Sequence, residues 1–201
     1  RSSQDTSNPQ HSQGSTCRHH SQEIIFPPKL KIHLEENPPR LTIFGGSRVT
    51  WYCPVTLQEL LKLKAAHPEA KIVCGNTEVG IEMKFKQQNY PVLIYGGEIQ
   101  ELSYIREQAE GVEFGASVRL TELKDYCLPK CRAEDGKFGV LAVIAEMLHW
   151  FAGNQIRNVS SWAGNVATAS PISDLNPIWA ASGAHLTLLN SDGRVRKVRV
   201  D

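Results

Sequence analysis

Lys71-Ile72-Val73-Cys74-Gly75-Asn76-Thr77-Glu78-Val79-Gly80 is the stretch on which the reading of the fold turns. Its first four residues read as a short strand that runs into a turn with glycine at each end and small polar residues between. Such a turn can point successive backbone N–H groups into one space and so form an anion-binding nest. Gly75 and Gly80 have the spacing of a phosphate loop, but Ile81-Glu82 stands where a Lys-Ser/Thr pair would be needed, so a nucleoside triphosphate site is excluded. An ordinary tight turn accounts for the same residues, because glycine is the commonest turn residue.

Working outward, Arg48 to Tyr52 reads as a strand, and Thr56 with Glu59 three residues later forms a capping box. Leu57, Leu60, Leu61 and Leu63 then lay an apolar stripe along a helix that His67-Pro68 ends. Pro91 to Tyr95 is a further strand, so this part of the chain predicts a small α/β lobe. After Val112-Glu113-Phe114, a helix is expected from Thr121, and Leu141, Ile144, Ala145 and Leu148 give helical spacing to Leu141–Phe151. Gly153 to Asn165 reads as a glycine-containing loop. Asp174 is expected to cap a short helix from Leu175 to Ala181, and a hairpin turning at Ser191-Asp192-Gly193 joins Leu186–Leu189 to Val195–Val200. Upstream, Arg1 to Gln22 is a polar Ser/Gln/His tail expected to be a disordered linker, and Ile24-Ile25-Phe26-Pro27-Pro28 is expected to enter the fold as extended chain.

The 201 residues are 41% hydrophobic and 21% charged with a formal net charge of +1, a globular composition that points neither to nucleic acid nor to a charged surface as partner. There is no apolar run long enough to span a membrane and no apolar leader core. Five irregularly spaced cysteines do not make a disulfide framework, which indicates a reducing compartment.

A second candidate for phosphate binding is Asn158-Val159-Ser160-Ser161-Trp162-Ala163-Gly164-Asn165, whose hydroxyls and backbone amides are potential donors. Asp174 beyond it could accept from sugar hydroxyls as well as cap a helix. No catalytic constellation emerges. His149 reads as a packing histidine, Lys84 and Lys86 as a solvated strand edge, and Cys127 and Cys131 lack the spacing of a redox pair or zinc knuckle. Cys17, His19 and His20 lack a second ligand cluster, so no metal site is expected. Two phosphate cradles without a catalytic set describe a cofactor holder.

Three stretches resemble one family in its own order: Gly75–Lys86, Trp150-Phe151-Ala152-Gly153 and Thr168-Ala169-Ser170-Pro171-Ile172-Ser173-Asp174-Leu175-Asn176-Pro177. The chain from Ile24 to Asp201 is similar to the FAD domain of xanthine dehydrogenase and of its relative aldehyde oxidase; Thr77-Glu78 and Ala169–Ile172 favour the former. The resemblance implies an α+β, two-lobed FAD-binding fold of the vanillyl-alcohol-oxidase/PCMH type, truncated at its C-terminus, with lobes at about 40–98 and 99–201. It implies that Ile72, Val73, Cys74, Gly75, Asn76, Thr77, Glu78 and Val79 line a first flavin loop, and that Phe151 packs near the isoalloxazine ring. Ser161, Trp162, Ala163, Gly164 and Asn165 form a second loop near the pyrophosphate, with Asp174 further along the cofactor.

In this sequence Ala163 stands where the family has the first glycine of Ser-x-Gly-Gly-Asn, so a methyl group would weaken binding if that position needed a positive φ or a close backbone approach. Trp162 is bulkier than the usual residue there. The resemblance further implies electron delivery from iron–sulfur clusters to FAD and on to NAD or oxygen. Molybdenum and iron–sulfur domains would belong to the same homodimeric enzyme, in the cytoplasm or the peroxisome.

Overall fold

The computed structural model describes residues 26–109, 111–131 and 139–201. The polar tail, with Cys17, His19 and His20, and the residues Ile24 and Ile25 lie outside them. The described residues fall into two units, divided between Pro38 and Pro39. In the first unit, Pro28–Glu36 is a helix, α1, where Pro-Pro had predicted extended chain. Proline at the first helical position loses no helical hydrogen bond and has its φ already set, so Pro28 starts the helix instead of preventing it.

In the second unit, β1 (Thr42–Gly45) and β2 (Thr50–Cys53) are followed by α2 (Leu57–Ala66), β3 (Lys71–Val73), α3 (Val79–Phe85) and β4 (Val92–Tyr95). The four strands form one sheet in the order β1-β2-β4-β3. β1 pairs antiparallel with β2, whereas β4 lies parallel to both its neighbours. The α2 cap is as expected: Thr56 Oγ1 accepts from Glu59 N at 3.2 Å, and the Glu59 carboxylate accepts in return from Val55 N at 2.9 Å. Leu93 and Ile94 of the central strand β4 are fully buried and belong to different clusters. Ile94 meets Leu60 of α2 in one cluster, and Leu93 meets Val73 and Val79 in the other. Each such side chain contributes about 1.5–3 kcal/mol by leaving water.

The chain continues through the hairpin β5 (Ile105–Gln108) and β6 (Gly111–Phe114), then α4 (Leu120–Lys130), α5 (Gly139–Trp150), α6 (Asn154–Arg157), α7 (Trp162–Thr168) and α8 (Asn176–Ala181). It ends in the antiparallel hairpin of β7 (His185–Leu189) and β8 (Val195–Arg199). The apolar stripe of α5 is the one predicted: Leu141, Ile144, Ala145 and Leu148 are buried against Leu120, Leu123 and Cys127 of α4, and Leu175 and Trp179 join the same cluster.

Five expectations give way to the structure. Lys84 and Lys86 are not on a strand: Lys84 lies in α3 and Lys86 caps its end, and Gly80 is helical rather than the end of a turn. The segment 153–165 is not a loop, because α6 and the start of α7 lie within it. Its backbone donors would otherwise be left without partners, and two short helices pair them locally. Asp174 is exposed and does not cap α8; Leu175 is the N-cap, and Asn176 N donates to Ser173 Oγ at 3.2 Å. His149 is exposed rather than packed in the core, its ring edge-on to that of Trp150 with centroids 4.9 Å apart.

Candidate functional site

The chain leaves β3 at the buried Val73, whose carbonyl accepts from Gly96 N at 2.8 Å, so the end of β3 is held against the residues that follow β4. Asn76 then takes a left-handed conformation (φ 56°), which asparagine tolerates better than most residues. This turn delivers the buried Val79 to the first turn of α3. Between them sits Gly75. A Cβ there would lie 2.1 Å from the carbonyl oxygen of Val159 and 2.8 Å from the amide nitrogen of Ser160. Glycine is therefore required by the approach of a distant piece of backbone. Ser160 Oγ donates to Thr77 Oγ1 at 2.9 Å across the same junction. The two segments that the sequence singled out as phosphate cradles thus dock directly on one another.

A cavity of about 350 Å³ opens beside this junction. Val73, Cys74, Gly75 and Asn76 line it from the first segment, and Val159 from the second. Trp51 of β2 and Tyr95 of β4 add aromatic wall, and Gly97, Ser117 and Arg119 complete it. The second segment is held in place by strand-like pairing: Arg119 and Ser161 form an antiparallel bridge, and Leu120 N donates to Ser160 O at 2.9 Å. Ser161 is buried and caps α7, its Oγ accepting from Gly164 N at 3.1 Å. Asn165 Oδ1 accepts from Ser173 Oγ at 2.8 Å, which ties α7 to the segment before α8.

The structure separates the predicted residues into groups. Val73, Cys74, Gly75 and Asn76 face the cavity. Thr77 serves the inter-segment bond, Glu78 pairs with Lys86 at 3.2 Å, Val79 is core, and Ile72 lies half exposed on β3. Ser161, Trp162, Ala163, Gly164 and Asn165 form the cap and first turn of α7 and do not line the cavity. Trp162 turns inward, donating from Nε1 to Gly115 O at 2.8 Å with its ring 5.8 Å from that of Trp179. Ala163 is helical with no positive φ, so its backbone conformation does not call for glycine. Phe151 packs against the α4–α5 core, and its carbonyl, like that of Ala152, accepts from the buried Arg157 guanidinium. Asp174 is exposed, away from the lining.

Trp51, Tyr95, Ser117 and Arg119 line the cavity without having been expected there. No local motif marks them, because the sheet and the 119–161 pairing bring them together from separate elements. Ser117 is buried, donating to Gly96 O at 2.8 Å. The Arg119 guanidinium lies 3.7 Å from the Glu98 carboxylate, which also accepts from Tyr95 OH at 3.3 Å. Burial, followed by the Glu98 carboxylate, pushes the Tyr95 phenol above its ordinary value and keeps it protonated as a donor.

The model of the FAD binding domain in molybdopterin dehydrogenase matches residues 46–201. The chain belongs to that family. It is 47% identical over 182 residues to the xanthine dehydrogenase/oxidase of Rattus norvegicus and 50% identical over 169 residues to the xanthine dehydrogenase of Drosophila subobscura. These alignments take in 90% and 83% of this chain but 14% and 12% of the relatives' lengths, so the chain spans a small part of each. Among solved structures, the carbon monoxide dehydrogenase of Hydrogenophaga pseudoflava matches with a TM-score of 0.68 and 26% identity, over 79% of this chain and 52% of that one. The quinoline 2-oxidoreductase of Pseudomonas putida 86 shares the fold, with a TM-score of 0.66 over 78% of this chain and 52% of that one at 22% identity. The site suits a family that holds FAD. Backbone from Val73 to Asn76 is exposed to the cavity, Asn76 turns there with a positive φ, and Arg119 places one cationic side chain in the lining.

Proposed function

We propose that this chain is the FAD-binding segment of a xanthine dehydrogenase-like oxidoreductase, with a fold of the PCMH type in two lobes at about 40–98 and 99–201. In the intact enzyme the segment would relay electrons from iron–sulfur clusters to NAD or oxygen, with the bound flavin supplying the redox chemistry. The observation that carries the reading is the docking of Gly75 on Val159, which joins the two candidate phosphate-binding segments at the wall of one cavity. Separate clusters of buried residues on either side of about residue 100 support the lobe assignment.

In this reading Val73 to Asn76 hold the cofactor by backbone and Trp51 and Tyr95 give it apolar cover, so that water is kept from the ring system. The capped start of α7, Ser161 to Asn165, serves the second contact surface, and Phe151 and Asp174 extend it. The relatives' names support xanthine dehydrogenase-like chemistry over the broader family. Purified chain should show flavin absorbance near about 370 and 450 nm, or acquire it on FAD titration. A folded chain that stays colourless at saturating FAD would refute the reading. Bleaching of bound flavin by NADH would then identify NAD as an acceptor.

A further inference from the structure

We infer that Arg119 is a phosphate-recognising residue of the cofactor site and that Glu98 competes for its guanidinium. This rests on the FAD reading above and adds residues to it. Arg119 lines the same cavity as the Gly75–Asn76 backbone and is the one fully charged side chain in the lining. Its position is rigidly set, because its backbone pairs with Ser161 and its own N–H donates to Glu122 at 2.8 Å as α4 begins. Its side chain is held loosely by comparison. The contact to Glu98 is 3.7 Å long, with both groups substantially exposed, so it is a weak surface pair.

Tyr95 OH donates to the same Glu98 oxygen that faces Arg119, and the Tyr95 ring lies so close over Gly97 that a Cβ there would meet it at 2.7 Å. Tyr95 therefore keeps the Glu98 carboxylate at the cavity edge after Arg119 turns away. A pyrophosphate offers a guanidinium two or more anionic oxygens in fork geometry, a stronger partner than one exposed carboxylate. Arg119 exchanges Glu98 for the phosphates when the cofactor enters.

The test compares FAD with riboflavin, which has the ring and no phosphate, by fluorescence quenching on the full 201-residue chain. R119Q is expected to weaken FAD binding about tenfold, as loss of one charge-assisted contact implies, while riboflavin affinity stays as in the wild type. R119K should recover part of the loss, and E98Q should tighten FAD about twofold by removing the competitor. The wild-type FAD affinity should fall with added salt more steeply than that of R119Q. Equal FAD affinities for R119Q and the wild type would overturn the inference while leaving the cofactor reading intact, and so would equal losses for FAD and riboflavin. Failure of the wild type to bind FAD would refute both.

Discussion

Replacing Gly75 by alanine tests the junction on which the site depends. The added Cβ would stand 2.1 Å from Val159 O and 2.4 Å from Val159 C, and both obstacles are backbone rather than a yielding side chain. To reach 3.4 Å, where ordinary contact begins, the two segments must separate by about 1.3 Å. That displacement takes the Ser160–Thr77 bond from 2.9 Å well past the roughly 3.0 Å range of good O–H···O geometry. Overpacking against a fixed neighbour costs about 1–3 kcal/mol, and the lost bond adds about 0.5–1.5 kcal/mol. A total of about 2–4 kcal/mol lowers Tm by about 5–15 °C for a domain of this size. Calorimetry of Gly75→Ala reads the first quantity, and FAD titration reads an accompanying loss of affinity of at least tenfold. A variant that melts within a degree of wild type and binds FAD equally would show that the close approach is not a property of the folded protein.

Three further outcomes follow from particular contacts. Gly164→Val is expected to reduce FAD affinity strongly in the same titration while shifting Tm by only a few degrees, because the new Cβ would meet only the Ser161 hydroxyl, at 3.0 Å; unchanged affinity would remove α7 from the cofactor site. Thr56→Ala should cost about 1 kcal/mol in urea unfolding through loss of the α2 cap. Burial, with a smaller contribution from Cys131, pushes the Cys127 thiol up from 9.0 to about 12, so the folded state holds its proton where the unfolded state has lost it. This contribution to stability is complete below pH 9 and is lost as the pH rises from 9 to 12, so unfolding at pH 8 and pH 10.5 should show a drop that is smaller in Cys127→Ala. At pH 8.5, alkylation of Cys127 should be slow in the native protein and fast in urea.

Much of the fold was legible because it follows from local rules. The Thr56 capping box, the α5 stripe of Leu141, Ile144, Ala145 and Leu148, and the final hairpin each depend on residues within a few positions of one another. The elements missed were those whose signal is ambiguous. α3 is seven residues long and starts inside a glycine turn, and β1 exposes all four residues and shows no alternation of burial. α1 was concealed by a proline pair that suits extended chain as well as a helix start. Asp174 had the right residue type for a cap, but the neighbouring Ser173 hydroxyl took the Asn176 amide.

The sequence alone determined that two segments, 72–80 and 158–165, have the glycine and small-residue character of a cofactor holder, and its order of motifs pointed to the family. Tertiary structure alone decided why Gly75 must be glycine, since the obstacle is the carbonyl of Val159, far away along the chain. It likewise decided that Ala163 stands in a helix with no positive φ, and that Trp51, Tyr95, Ser117 and Arg119 share one cavity. Helices and turns are set by neighbours in sequence, so a reader of sequence finds them. A cavity wall is set by strand order and by which backbones come within contact, and those distances are written in no single segment of the chain.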